Sequence, residues 1–238
     1  MKLAIMQPYF LPYIGYFQLI NAVDKFVIYD NIQYTKKGWI NRNRILHNGK
    51  EAFITLPLAK ASDFLDVNER VFAENFKLEM EKQHRKIIDA YRKSPFFNEG
   101  MELYNQIVNC ETSNLFTFLY HSVQRVCDYL GISTEIIVSS AITVTQDLQG
   151  TERILGICKA LNANTYINPI GGTGLYDRKI FDDYQINLYF LKSNDLDYKQ
   201  FGSNFIPWLS ILDVIMFVGK NTTKFYLTRY KLLNGDSK

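Results

Sequence analysis

The order strand, turn, helix, strand within the first 30 residues constrains the fold of this chain more than any other feature. Leu3 to Met6 is a short apolar run typical of a buried strand, Phe17 to Val23 has the pattern of a short helix, and Lys25 to Asp30 is a second strand. A helix between two such strands is the pattern of a βαβ unit, in which the strands run parallel and the crossover is right-handed. The opening therefore predicts an α/β fold with a parallel sheet.

The remaining segments extend this pattern. Asn48-Gly49 lies between two strand-like runs in Arg44 to Leu56 and predicts a hairpin. From about residue 75 to residue 131, apolar side chains recur at helical spacing in two or three segments. Further strands are predicted at Glu135 to Val138, Thr165 to Asn168 and Ile186 to Leu191, and further helices at Thr151 to Leu161 and Ile206 to Val218. We expect one α/β domain over residues 1–238, with a helical insertion at about 75–131.

Composition argues against several functional classes. The formal charge of +3 is too small to indicate nucleic-acid binding by itself, so nucleic acid is an unlikely partner. Three cysteines fit no zinc motif and are typical of a reducing compartment, and three scattered histidines predict no metal site. There is no signal-peptide pattern and no long uninterrupted apolar run, so we expect a cytoplasmic protein without a membrane span. The oligomeric state is left open.

The turn that follows the first strand is rich in residues that could form a ligand site. Pro8 and Pro12 stiffen the turn, and Gly15 permits a close backbone approach at the start of the helix. Its polar and aromatic side chains, which could bond and stack on a ligand, are Gln7, Tyr9, Tyr13 and Tyr16. A hydrophobic turn that only packs is the alternative.

A second candidate segment, residues 30–44, begins where the second predicted strand ends. Ligands of open α/β sheets bind at the carboxyl ends of the strands, so this position is favourable. Arginine can bind a phosphate or carboxylate through two parallel hydrogen bonds, lysine acts as a point charge, and amides can bond to sugars. The residues of interest are Asp30, Gln33, Lys37, Trp39, Asn41, Arg42 and Asn43. A solvated basic loop that leads into the hairpin is the alternative.

A third candidate segment follows the strand predicted at Thr165 to Asn168. Its glycines could present backbone N–H groups to an anion, although it matches neither a Walker motif nor a dinucleotide fingerprint. The residues of interest are Asn168, Gly171, Gly172 and Tyr176. A plain flexible connection is the alternative.

Together these three segments resemble the WbqC-like protein family, and the resemblance covers nearly the whole chain. The residues that carry it are Gln7-Pro8 with Pro12-Tyr13-Ile14-Gly15-Tyr16, Asp30-Asn31-Ile32-Gln33-Tyr34 with Trp39-Ile40-Asn41-Arg42-Asn43, and Asn168-Pro169 with Tyr176. Genes of this family are often found in clusters for O-antigen and other bacterial surface polysaccharides. The resemblance therefore implies a role in making an unusual sugar, including N-acylation of an amino sugar with an amino acid such as glycine.

The opening also resembles, more distantly, adenylyl-transferring α/β enzymes such as pantothenate synthetase. This similarity implies a Rossmann-like, nucleotidyltransferase-like core and makes ATP a possible cofactor. Those enzymes carry two histidines at the opening turn, where Tyr13 and Tyr16 stand in this chain. A tyrosine cannot become a cation at neutral pH, so ATP phosphates would need other partners, such as Lys36, Lys37 and Arg42.

We hypothesise an enzyme that forms an amide between a nucleotide-linked amino sugar and an amino acid or activated acyl donor. Such a site must hold two substrates and stabilise negative charge. Arg42 and Lys37 are expected to bind phosphate or oxyanion, and Asp30 to act as a base or orienting group. Gln7, Asn41 and Asn43 are expected to bond to the substrate. The alternative is a non-catalytic sugar-nucleotide-binding or scaffold protein of the same pathway.

Overall fold

The computed structural model describes residues 1–144, 148–196, 198–202 and 204–234. The strands are β1 (Lys2–Met6), β2 (Lys25–Ile28), β3 (Arg42–His47), β4 (Lys50–Thr55), β5 (Glu135–Val138), β6 (Thr165–Pro169), β7 (Asn187–Ser193) and β8 (Tyr230–Asn234). The helices are α1 (Ile14–Asn21), α2 (Phe76–Tyr91), α3 (Phe97–Val108), α4 (Leu115–Leu130), α5 (Gly150–Ala160), α6 (Arg178–Asp183) and α7 (Ile211–Tyr226). Among the described residues, no helix is long and apolar enough to cross a membrane.

Six strands form the central sheet in the order β5-β2-β1-β6-β7-β8. The first five strands in this order are parallel, and only β8 pairs antiparallel with its neighbour β7. The chain leaves β1 toward β2 and β5, then crosses to β6 on the other side of β1. The strand order therefore reverses between β1 and β6, which is where doubly wound sheets bind ligands. The predicted α/β fold with a Rossmann-like parallel sheet is confirmed.

Helices cover both faces of the sheet because its central strands are apolar on both sides. Ala4 and Phe26 face a core that contains α1, α4 and α7. Leu3 and Val27, one position away on the same strands, face a second core that contains α5 and α6. The alternation of side chains along each strand thus produces three layers.

The segment predicted to be helical contains α2, α3 and α4. Asn114 caps α4 by accepting a hydrogen bond from the Thr117 backbone N–H, and Gly131 ends it in the left-handed conformation with φ 69°. The last of the three helices packs into the same core as α1, so it is part of the layer beside the sheet.

The predicted hairpin is confirmed as β3 and β4, which pair with each other outside the central sheet. Asn48 and Gly49 adopt φ angles of 52° and 72°, as a tight two-residue turn requires.

The helix predicted at Ile206 to Val218 is wrong at its start, since α7 begins at Ile211. Ser210 caps it, and the Ser210 and Ile211 backbone N–H groups donate to the carbonyls of Arg44 and Pro12 at 2.8 and 2.9 Å. These long-range bonds hold the preceding segment as a loop, in which Trp208 has a φ angle of 62°.

Three further differences from the sequence-based expectation are one shifted helix start and two elements that were not predicted. The first helix begins at Ile14 and not at Phe17, while α6 and β8 were not predicted at all. Asp182 and Asp183 are the last two residues of α6.

Candidate functional site

Two adjoining cavities lie at the carboxyl edge of the sheet, where β2 and β5 end. Their volumes are about 570 and 560 Å³, and both are lined by Asn31, Asp66 and Arg153. The loop after β6 contributes Tyr176 to the second cavity. We call these two cavities together the polar crevice. Their size suits a small-molecule ligand.

Arg153, in the first turn of α5, supplies the positive charge of the polar crevice. Its Nη1 donates to the Asn31 carbonyl at 3.1 Å and its Nη2 to Asn31 Oδ1 at 2.5 Å. The guanidinium carbon lies 4.8 Å from the centre of the Tyr29 ring. A guanidinium has five N–H donors, so these two bonds orient the group and leave donors for an anionic ligand.

Asp30, predicted to be a base or orienting group, lies behind the crevice and is buried. Its carboxylate accepts from Ser139 Oγ at 2.8 Å, the Ser140 backbone N–H at 2.9 Å and Asn68 Nδ2 at 3.0 Å. Burial by itself raises the pKa of Asp30, but hydrogen bonds from Ser140, Ser139 and Asn68 outweigh it and hold the pKa below its usual value. The carboxylate therefore fixes the loop after β5.

Asp66 is a carboxylate that the sequence did not single out. It lines both cavities of the polar crevice. Burial, followed by the nearby charge of Glu69, raises the pKa of Asp66 above its usual value. A carboxylate with a raised pKa beside a ligand cavity is suited to accept a proton.

The side chains of the opening turn mainly hold one another. Tyr16 donates its hydroxyl hydrogen to the Gln7 carbonyl at 2.9 Å, and Tyr9 donates to Gln7 Oε1 at 3.3 Å. Burial raises the pKa of Tyr16 well above its usual value, so this hydroxyl stays protonated as a structural donor. None of these three residues lines the polar crevice as the structure describes it.

Gly15 provides room for the ring of Tyr13. A Cβ atom at position 15 would lie 2.3 Å from Cε2 of that ring, which is closer than any real contact. Tyr13 then points into a different cavity, beside Trp208, whose ring centre is 5.6 Å from its own. The absence of a Cβ at Gly15 therefore lets the Tyr13 ring pack against the start of α1.

The side-chain amides of Asn41 and Asn43 donate hydrogen bonds to backbone carbonyls. Asn41 Nδ2 donates to the Leu56 carbonyl at 2.8 Å. Asn43 Nδ2 donates to the carbonyls of Phe10 and Leu11 at 3.0 and 2.9 Å. Both asparagines are buried, and Asn43 joins the hairpin to the opening turn.

Lys37 and Trp39 are exposed in the loop before β3, and Arg42 is the half-buried first residue of β3. Arg42 donates to the carbonyls of Gly38, at 3.1 Å, and Lys37, and its guanidinium carbon is 4.8 Å from the centre of the Phe53 ring. Trp39 stacks on the same ring at 6.5 Å. In the described structure these residues are absent from the lining of the polar crevice.

The glycine-rich segment after β6 is ordered around Asn168. A Cβ atom at Gly172 would lie 1.8 Å from Asn168 Nδ2, whereas one at Gly171 would meet nothing within 4 Å. Asn168 Oδ1 in turn accepts from the Tyr166 hydroxyl at 3.2 Å. This arrangement places Tyr176 at the crevice.

Of the residues predicted from the sequence, Gln33 and Tyr176 line the polar crevice. Asn31, Asp66 and Arg153 were not predicted as site residues. A signal for Arg153 was present in the sequence. The strand that ends at Val138 was predicted, and ligands of such sheets bind at strand ends, so the loop and helix after this strand could have been identified as part of the site.

The comparisons with known proteins agree on one family. The model of the WbqC-like protein family matches residues 7–225. A protein of Mycobacterium tuberculosis (strain ATCC 25618 / H37Rv), described as "Uncharacterized protein Rv1507c", is 31% identical over 221 residues, which cover 92% of this chain and 94% of the relative. No solved structure shows a significant match. The chain therefore belongs to the WbqC-like protein family.

Proposed function

We propose that this protein is an enzyme of bacterial surface-polysaccharide biosynthesis, of the O-antigen type, that forms an amide on a nucleotide-linked amino sugar. The polar crevice is the proposed binding site for the sugar nucleotide. The observation that carries the proposal is Arg153, a cation with unused donors at the carboxyl edge of a doubly wound sheet. Membership of the WbqC-like family supports the pathway through the resemblance described above.

The position of Arg153 in the crevice fits one phosphate group of a sugar nucleotide. Arg153 is the one Lys or Arg among the described residues that line the two cavities. It lies in the first turn of α5, where the backbone N–H groups of a helix also favour an anion. Both features favour a phosphate group near the start of α5, and the tyrosines of the crevice, Tyr29 and Tyr176, offer rings against which a base or sugar can pack.

Amide formation requires the sugar amine to attack the acyl carbon of the donor. The new bond joins nitrogen to that carbon, the bond to the leaving group breaks with its electron pair, and the amine loses one proton. Asp66 is the proposed acceptor of this proton, because its pKa is raised and its side chain lines the crevice. The acyl donor is an amino acid such as glycine, activated by ATP or supplied in activated form. The proposed location is the cytoplasm, which the three free cysteines support.

The test is product formation from purified components. The protein is incubated with amino sugars linked to UDP, dTDP or GDP, with glycine, and with or without ATP, and the mixture is analysed by mass spectrometry. We expect one sugar nucleotide to gain the mass of a glycyl group. Asp66→Asn is expected to lower kcat, and Arg153→Gln to raise KM for the sugar nucleotide, while Arg125→Gln on α4 serves as a control with normal kinetics.

One observation favours a non-catalytic binding protein as the second candidate. The predicted catalytic side chains do not come together. Asp30 accepts three hydrogen bonds behind the crevice, whereas Lys37 and Arg42 lie at the start of the hairpin. Binding of a sugar nucleotide without product under any of these conditions would favour this candidate and overturn the enzymatic one.

A further inference from the structure

A third cavity, of about 300 Å³, lies at the carboxyl edge of the sheet, beside β7. It is bounded by the opening turn, the residues that follow β7 and the segment before α7. Its aromatic lining consists of Tyr13, Tyr198, Phe205 and Trp208. We call it the aromatic cavity. It shares no lining residue with the polar crevice, so its ligand does not depend on the proposed function.

Buried polar groups fix the walls of the aromatic cavity. Gln200 Oε1 accepts from the Ile206 N–H at 2.8 Å, and Gln200 Nε2 donates to the Ile206 carbonyl at 3.0 Å. Behind the wall, the fully buried Asp213 accepts from the Tyr198 hydroxyl and from Gln200 Nε2, both at 2.7 Å. These buried hydrogen bonds hold the loop before α7 in place, as is typical of preformed binding sites.

Two of the four aromatic side chains at this cavity remain exposed although they are large. Trp208 is 56% exposed and Phe205 is 42% exposed. Trp208 also holds a φ angle of 62°, a left-handed conformation that is strained for a residue with a bulky side chain. Exposed aromatic surface combined with backbone strain is a feature of ligand sites, since a bound apolar group would cover the rings.

The polar side of the aromatic cavity determines the charge of the ligand. Ser193, Asn194 and Asp195 follow one another where β7 ends, and all three line the cavity. Asp195 is the one Asp, Glu, Lys or Arg among the described lining residues, and within the described structure it forms no ion pair. A carboxylate beside an apolar cavity favours a ligand with a positively charged group.

We propose that the aromatic cavity binds a small organic amine. The apolar body of the amine packs among Tyr13, Tyr198 and Trp208, and its ammonium group lies beside Asp195. The aromatic faces add attraction for the cation. An apolar cavity of about 150 Å³ holds one benzene ring, so the volume here accommodates a ring with a short charged chain.

The experiment compares phenethylamine with 2-phenylethanol, which has the same shape but no charge. Binding is followed through the indole N–H signal of Trp208 in the ¹⁵N-labelled full-length protein. The chain has only 2 tryptophans, so the Trp39→Phe variant assigns the signal. We expect saturable shifts with phenethylamine and at least tenfold weaker binding of 2-phenylethanol.

Two variants separate the charge from the shape of the cavity. Asp195→Asn is expected to remove the preference for the amine while 2-phenylethanol binds as before, and Asp183→Asn on α6 is the matched control that retains the preference. Val214→Phe, which fills the cavity, is expected to abolish both interactions. Equal binding of the two compounds, a preference that survives Asp195→Asn, or no shift with either compound would overturn the proposal.

Discussion

Asp213 is a buried carboxylate, and no ion pair reaches it from the residues that the structure describes, so its ionisation should weaken the fold. It is fully buried in the first turn of α7 and accepts from the hydroxyls of Tyr91 and Tyr198 at 2.8 and 2.7 Å. Burial raises the pKa of Asp213 from 3.8 to about 6, against the opposing effect of its hydrogen bonds to Tyr198, Tyr91 and Gln200. The folded state therefore binds this proton more tightly than the unfolded state does.

The size and sign of the effect follow from this shift. One pKa unit corresponds to about 1.4 kcal/mol, so a shift from 3.8 to about 6 corresponds to about 3 kcal/mol. Because the folded pKa is the higher one, this stabilisation is fully present below the unfolded pKa. It is lost as the pH rises through the folded value and stays lost at neutral pH.

Urea unfolding of the wild type and of Asp213→Asn between about pH 3 and pH 8 measures this contribution. The asparagine at this position cannot ionise. The free energy of unfolding of the wild type should therefore fall by about 3 kcal/mol more than that of the variant as the pH rises to neutral. Comparing the two proteins at each pH cancels the contributions of the other titrating groups to the free energy of unfolding. Asp183→Asn on α6 is the control, and it should show the same pH dependence as the wild type. A constant difference between wild type and Asp213→Asn across this range would refute the assignment.

Three further predictions concern the sequence-predicted site residues. Gly172→Ala should lower the melting temperature because its Cβ would overlap Asn168 Nδ2, whereas Gly171→Ala, with open space around it, should not; equal effects in a thermal scan would contradict this. Asn43→Ala should cost about 2 kcal/mol in urea unfolding, as two buried backbone carbonyls lose their donor, and an unchanged midpoint would exclude the structural role. Asp30 has a lowered pKa, so the stability that it contributes is present above its unfolded pKa and is lost as the pH falls through the folded pKa. Asp30→Asn should therefore have a lower free energy of unfolding than the wild type at pH 7, and this difference should disappear at acidic pH.

The parallel sheet could be predicted because its strands contain short apolar runs, which in β1 and β2 are buried on both faces. The strand Glu135–Val138 was predicted at its observed bounds, and the turn Asn48-Gly49 identified the hairpin. In contrast, Tyr230–Asn234 lies at the sheet edge with most of its side chains partly or fully exposed, so its sequence lacks the apolar signal of a strand. Its pairing with β7 depends on a contact between distant segments.

The candidate site could be predicted only in part, because residue type does not reveal which partner a polar group finds. Asn43 has the donors of a ligand-binding amide, but the backbone of Phe10 and Leu11, more than thirty residues away, takes them. Gly15 leaves room for the ring of Tyr13, which a Cβ atom at this position would overlap. The position of Arg153 beside Asn31 likewise arises from the fold, since 122 residues separate them in the sequence.

The most direct test of the central claim is a binding measurement between the polar crevice and nucleotide-linked sugars. Thermal unfolding is recorded with a panel of UDP-, dTDP- and GDP-linked amino sugars for the wild type, Arg153→Gln and the charge-retaining Arg153→Lys. We predict that one nucleotide class, at 100 times its dissociation constant, stabilises the wild type by about 2.7 kcal/mol. Arg153→Lys should retain part of this stabilisation and Arg153→Gln should lose most of it. Stabilisation that is equal in all three proteins, or absent across the panel, would contradict the assignment of the polar crevice as the sugar-nucleotide site.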